Sequence, residues 1–135
     1  MALQYSVAVR NAQLDAVEST TGTAAILRIY SGAAPANCAA AASGTLLAEM
    51  TLPSDWMAAA SSGSKALSGT WQDASANATG TAGHFRLLDS GGTTCHAQGT
   101  VTATGGGGDL TLDNTSIASG QSVTIASFTI TAGNA

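Results

Sequence analysis

The sequence predicts an all-β chain, an antiparallel β-sandwich of jelly-roll-like build with one short N-terminal helix, on three observations. From Ala24 onward, short runs rich in β-branched and aromatic residues alternate with Gly, Ser, Asn and Pro, the pattern of strands and turns. No helical periodicity stands between those runs, which favours antiparallel pairing over a parallel α/β sheet. Ahead of them, Leu3, Val7, Leu14 and Val17 recur at the three-to-four-residue spacing of a helix face. At 135 residues the length suits one domain, with a helical segment over 1–22 and a β-sandwich over 23–135.

Each element has a local reason. The helix is expected over 3–18, with Gln4, Asn11, Asp15 and Glu18 largely off its apolar face. Ser6 offers a cap that would start it later, Arg10 narrows the stripe, and the Thr20-Thr21-Gly22-Thr23 cluster stops it. Strands are expected over 25–31, 45–52, 65–72, 81–89, 94–102, 109–113 and 122–131. In the last of these, Val123 and Ile125 are odd-numbered but Phe128 and Ile130 even-numbered, so the buried face switches near Ala126-Ser127 and a bulge is expected there. The loop over 33–44 (AAPANCAAAASG) is long enough for a mobile excursion. The loop over 53–64 carries Asp55-Trp56-Met57 before three alanines, which suits a short helical turn.

More than half of the residues are Ala, Gly, Ser or Thr, while Leu, Ile, Val and Phe together fall just below the roughly 20% at which disorder becomes a concern. Only 9% of residues are charged and the net charge is −4, so no like-charge field holds the chain open. The outcome is a folded chain with a thin core, stabilised in part by partners. Its only cations, Arg10, Arg28, Lys65 and Arg86, are too few and scattered to grip nucleic-acid phosphates, and an anionic membrane is disfavoured on the same ground. The start MALQYSVAVR lacks the order of a secretory signal, and no apolar run approaches the roughly 18 residues of a membrane span. The chain is therefore expected in a cytoplasm, with Cys38 and Cys95 reduced and acting as small fillers. A Cys38–Cys95 bridge is the alternative.

Chemistry-bearing residues concentrate in GHFRLLDSGGTTCHAQGTV, residues 83–101. Strand alternation places Phe85 and Leu87 on one face and His84, Arg86 and Leu88 on the other, turned to solvent or a partner. Asp89-Ser90-Gly91-Gly92 has the composition of a hairpin connection. Cys95 and His96 point to opposite sides, so they do not readily share a metal, and two histidines alone make a marginal zinc site. A Cys95 nucleophile with a His84 base lacks an oxyanion site and a group to orient the base. Asp73, Asp89, Asp109 and Asp113 fall at or near turns, and no pair of them stands out for acid–base work. Gly105–Gly108 lacks the Lys-Ser/Thr of a phosphate loop and leads into strand-like residues, so it reads as a hairpin tip. Asn77-Ala78-Thr79 and Asn114-Thr115-Ser116 fit the glycosylation pattern but read as turns in a chain with no secretory route. No catalytic residue, cofactor or metal is assigned.

Asn11-Ala12-Gln13-Leu14-Asp15-Ala16, Leu27-Arg28-Ile29-Tyr30-Ser31-Gly32 with Pro35 after it, Leu46-Leu47-Ala48-Glu49-Met50-Thr51-Leu52, and Ser127-Phe128-Thr129-Ile130-Thr131-Ala132-Gly133-Asn134-Ala135 together resemble small virion proteins of tailed bacteriophages, the capsid cement or decoration class. The resemblance implies a jelly-roll-like β domain on the outer face of the icosahedral head, assembled in the host cytoplasm. There it would bridge major capsid protein subunits as a dimer or trimer and reinforce the shell; it carries over no catalytic residues. Leu3 and Tyr5 of the N-terminal segment, with Trp56 and Met57, are the expected apolar anchors, because aromatic and Met side chains are enriched at interface centres. Core packing is the competing role for Trp56. A tail-associated or receptor-binding module, with Trp56 or Trp71 stacked on a sugar, is the rival reading, and a small hydrolase using His84 and His96 is a distant third.

Overall fold

The computed structural model describes residues 3–133. One helix, α1 (Val7–Thr21), precedes ten strands: β1 (Ile26–Ser31), β2 (Leu46–Thr51), β3 (Ser64–Ala66), β4 (Trp71–Asp73), β5 (Gly80–Leu88), β6 (Cys95–Ala103), β7 (Leu110–Leu112), β8 (Ser116–Ile117), β9 (Val123–Ile125) and β10 (Thr129–Thr131). The helix starts at Val7 rather than Leu3 because Ser6 is its cap. Ser6 is extended, and its Oγ accepts the Val9 N–H at 3.3 Å, satisfying one of the orphan donors of the first turn. At the other end the Gly22 N–H donates to the Glu18 carbonyl at 2.9 Å, with Gly22 at a φ of 95° that side chains rarely adopt.

The main sheet has the order β2-β1-β5-β6-β7, and β8 pairs with the start of β5. Leu27 lies opposite Leu87 and Met50, and Ile29 opposite Phe85 and Ala48, so these residues share one face. All of them are buried, and they form the floor of the core. The opposite face carries Arg28 across from Arg86 and Tyr30 across from His84.

Two long strands expected from the sequence are each broken in two. The run over 65–72 becomes β3 and β4, separated by a turn in which Gly69 has a φ of 74°. The run over 122–131 becomes β9 and β10, so the face switch at Ala126-Ser127 marks a full interruption instead of a bulge. The halves match: β3 pairs with β10 and β4 with β9, both antiparallel, and between them the Leu67 N–H donates to the Phe128 carbonyl at 2.9 Å. Breaking both strands at the same level turns Trp71 and Phe128 inward together. Their rings lie 5.5 Å apart, Trp56 sits 6.0 Å beyond Trp71, and Phe128 meets the edge of Phe85 at 5.7 Å. Every Trp and Phe of the chain thus belongs to one aromatic run that reaches the floor of the main sheet.

Among the described residues every strand pairing is antiparallel except that of β7 with β6. The expected hairpin at Gly105–Gly108 instead folds back along β6 before re-entering parallel to it. A Cβ at Gly106 or Gly108 would come within 2.8 Å of the Thr102 side chain, and Gly105 and Gly107 hold φ values of 88° and 81°. Close approach and backbone freedom together require the glycine run. Asp109 pins the return, its Oδ2 accepting the Thr100 N–H at 2.9 Å and hydroxyl at 3.0 Å. The loop over 53–64 forms no helical turn; Met57 bridges to Leu67 and Ser61 to Ser64.

Because Trp71 is 1% exposed and touches both Trp56 and Phe128, Trp71→Ala is expected to destabilise the chain by about 3–5 kcal/mol, read from urea denaturation. A loss under about 1 kcal/mol would show that the aromatic run is not central to the core.

Candidate functional site

Helix α1 docks by polar groups more than by an apolar stripe. Asn11, Asp15, Glu18 and Gly22 recur every three or four residues and so share one helix face. Asn11 Oδ1 accepts the Gly63 N–H at 2.9 Å, Asp15 Oδ1 the Ala60 N–H at 3.1 Å and Glu18 Oε2 the Met57 N–H at 2.8 Å, while Trp56 Nε1 donates to the Gly22 carbonyl at 2.9 Å. The irregular segment after Pro53 has no strand partner for most of these donors, and the helix supplies the acceptors. Lys65, 3% exposed, closes this contact with ion pairs to Asp15 at 2.7 Å and Glu18 at 3.2 Å. Arg10 Nε adds a hydrogen bond to the Ala132 carbonyl at 2.8 Å. Only Leu14 of the expected apolar stripe is buried and Val17 half-buried, and Asn11, Asp15 and Glu18, expected elsewhere, form the docking face.

That arrangement leaves apolar side chains outside. Leu3 is 73% exposed, Val7 50%, and Tyr5 and Val9 43% each. Leu3 and Tyr5 precede α1, and Val7 and Val9 of its first turn stand two positions apart, a spacing that no helix face keeps, so α1 cannot bury them together. Leu3 and Tyr5, expected as interface anchors, are thus exposed, and so are Val7, expected on the packed stripe of the helix, and Val9. Trp56 and Met57 are corrected: both are in the core, 0% and 1% exposed, Trp56 fixed by its hydrogen bond to Gly22 and its ring contact with Trp71. Trp71 is equally buried, so neither Trp offers an open ring face to a sugar.

The outer face of the main sheet is covered by the loop over 33–44. His84 and Arg86, expected to face solvent or a partner, are 0% and 4% exposed beneath it. Cys38 is joined to Cys95 by a disulfide, which corrects the expectation of two reduced fillers. Arg86 Nη2 donates to the Cys38 carbonyl at 2.7 Å and the Ala40 carbonyl at 3.0 Å, and Gln98 Nε2 to the Pro35 carbonyl at 2.7 Å. His84 Nδ1 lies 2.9 Å from the Gly32 carbonyl, which only accepts, so Nδ1 carries the proton, and the ring stacks on Tyr30 at 5.2 Å. The buried Nε2 has no hydrogen-bond partner. Small alanines let the loop lie flat as a strap, where sequence reasoning expected a mobile excursion. His96, by contrast, is exposed, so the two histidines are differently placed.

Two carboxylates, one amine and one guanidinium have displaced affinities for protons; burial opposes the Arg28 charge, but its contacts with Glu49 and Tyr30 outweigh that effect and raise its affinity. The hydrogen bond from Lys65 and that from the Ala60 N–H hold the Asp15 carboxyl below the ordinary aspartate value. The N–H groups of Thr93 and Thr94 do the same for Asp89. Burial opposes the Lys65 charge, but hydrogen bonds to Asp15 and Glu18 and the attraction of both outweigh it, and its affinity for the proton is raised. Among the described residues no cluster of three His, Cys, Asp or Glu is placed to hold a metal ion. No helix among the described residues is long and apolar enough to cross a membrane. Compared with known proteins, the chain matches no family model, no curated protein and no solved structure.

The signs of these shifts set the pH response. Asp15 and Asp89 stabilise the fold fully above the ordinary aspartate value of about 3.9, and lose that contribution as pH falls through their lowered folded values. Lys65 contributes fully below about 10.4, and the contribution vanishes as pH rises through its raised folded value. Urea midpoints measured against pH should fall at both extremes, and Asp15→Asn should flatten the acid limb; an unchanged acid limb refutes the pairing. The disulfide spans 57 residues, so reduction, or Cys38→Ser with Cys95→Ser, is expected to cost about 4 kcal/mol. Equal stability of reduced and oxidised protein would show that the strap is held without it.

Proposed function

We propose that this chain is a structural virion protein that binds the outer surface of a tailed-phage capsid and joins neighbouring major capsid protein subunits. The observation that carries the reading is the exposed apolar group Leu3, Tyr5, Val7 and Val9, gathered at one end of a chain with few large side chains in its core. Apolar side chains left outside a thin core gain most from a partner surface. The sequence resemblance to cement and decoration proteins points the same way. Bridging two subunits makes the second contact effectively intramolecular, so modest interfaces give firm attachment. A homo-oligomer, dimer or trimer, belongs to the same proposal.

The finer architecture is also proposed: a jelly-roll-like sandwich in which the β3/β10 and β4/β9 pairs face the main sheet. The aromatic run from Phe85 through Phe128 and Trp71 to Trp56 supports it, because it connects those pairs with the sheet floor. The carbohydrate-binding alternative loses its stacking residues, since both tryptophans are buried.

Leu3→Ser with Val7→Ser is the direct test, because both side chains are exposed in the free chain. Its urea midpoint should match the unsubstituted protein. Its affinity for purified heads of the encoding phage, stripped of this protein and assayed by co-sedimentation, should fall about tenfold or more, as each buried apolar anchor contributes about 1.5 kcal/mol or more. No head binding by the unsubstituted chain, or full occupancy by the variant, overturns the proposal.

A further inference from the structure

Two of the chain's four Lys and Arg residues face each other beneath the strap. Arg28 of β1 and Arg86 of β5 are direct partners in the antiparallel register, so their side chains leave the same face of the sheet. Like charges placed opposite each other repel, and only one of the pair is neutralised. Arg28 Nε is paired with Glu49 at 2.5 Å. Arg86 is 4% exposed and forms no ion pair among the described residues; its partners are the carbonyls of Cys38 and Ala40 and, at 3.4 Å, the Cys95 sulfur. Two guanidinium charges against one carboxylate leave one positive charge uncancelled where water is largely excluded, a costly arrangement for a buried cation. The nearby Asp89 does not relieve it, because its carboxylate is engaged by the Thr93 and Thr94 N–H groups and does not border the space between the arginines.

That space is a cavity of about 290 Å³. Arg28, Arg86 and Tyr30 contribute its polar wall, and Leu88 with the strap's alanines 39–42 contributes an apolar one. We propose that it is a binding site for a small organic monocarboxylate. A single uncancelled charge calls for a monoanion. The planar guanidinium fork suits a carboxylate held by parallel N–H donors, and Leu88 and the alanine methyls suit a short hydrocarbon body. An inorganic dianion brings more charge than the site offsets and a hydration shell that methyl groups cannot replace. The volume of about 290 Å³ lies just below the usual range for ligand pockets, about 300–1,000 Å³, which limits the ligand to a small one. The site does not depend on the capsid reading, because it lies on the strapped sheet face and uses none of Leu3, Tyr5, Val7 or Val9.

The test is a titration of the oxidised full chain with sodium butyrate, followed by NMR, with sodium chloride at matched ionic strength and inorganic phosphate as separate arms. The expected result is a saturating one-site curve for butyrate, with the moving resonances confined to Tyr30, Thr93 and the strap, and no saturation with chloride or phosphate. Arg28→Gln removes one donor group from the partly exposed side and is expected to weaken butyrate at least about tenfold while leaving the spectrum of the fold intact. Arg86→Lys, which keeps the charge and loses the fork, is expected to weaken it likewise; should that variant not fold, Arg28→Gln decides alone. A non-saturating butyrate curve, phosphate binding as tightly as butyrate, or unchanged affinity in Arg28→Gln overturns the proposal.

Discussion

The structure depends on the aromatic run Trp56–Trp71–Phe128–Phe85. In a chain made mostly of Ala, Gly, Ser and Thr, these four side chains supply much of the large apolar surface, and they are spent together at one place. Their contact fixes the two short strand pairs against the main sheet, and it explains why both long strands break at one level: continuous strands would carry Trp71 and Phe128 away from each other.

With the apolar material used there, the periphery is held by polar groups. The segment from Trp56 to Gly63 gives its N–H groups to Asn11, Asp15 and Glu18 of α1, and the strap over 33–44 gives its carbonyls to Arg86 and Gln98, with Gly32 just ahead of it giving one to His84. Both are irregular backbone, which must find partners for its polar groups when it loses water. Charged residues take part in this work: Lys65 fastens the helix, and Arg86, with the disulfide, fastens the strap. Polar fastening of α1 also leaves Val7 and Val9 of its first turn exposed beside Leu3 and Tyr5, so the same economy that holds the helix adds to the surface available to a partner.

The strap alters the meaning of the most decorated stretch of the sequence. His84 and Arg86, expected to face solvent or a partner, and Cys95, expected to be a reduced filler, are the fastening points of a cover. The uncancelled charge of Arg86 follows from that role, because backbone carbonyls satisfy its hydrogen bonds without neutralising it.

Several features were legible in the residues themselves. Strand-rich content, the stop at Gly22, the cap at Ser6, the sides taken by Phe85 and Leu87 against His84 and Arg86, and the change of face at Ala126-Ser127 all follow from periodicity and local backbone preference, which act over a few residues. Tertiary structure alone decided what each face meets. Alternation says that His84 and Arg86 share a side, but not that a loop fifty residues earlier lies across it; composition says that Cys38 and Cys95 exist, but only the fold brings their Cα atoms to 5.2 Å. The same holds for Trp56 and Met57, whose place in the core depends on α1 and β4 arriving from either side of them in sequence. Local pattern is set by steric and hydrogen-bonding rules within a few bonds, whereas burial is a property of distant segments meeting, and no short window of sequence contains both partners.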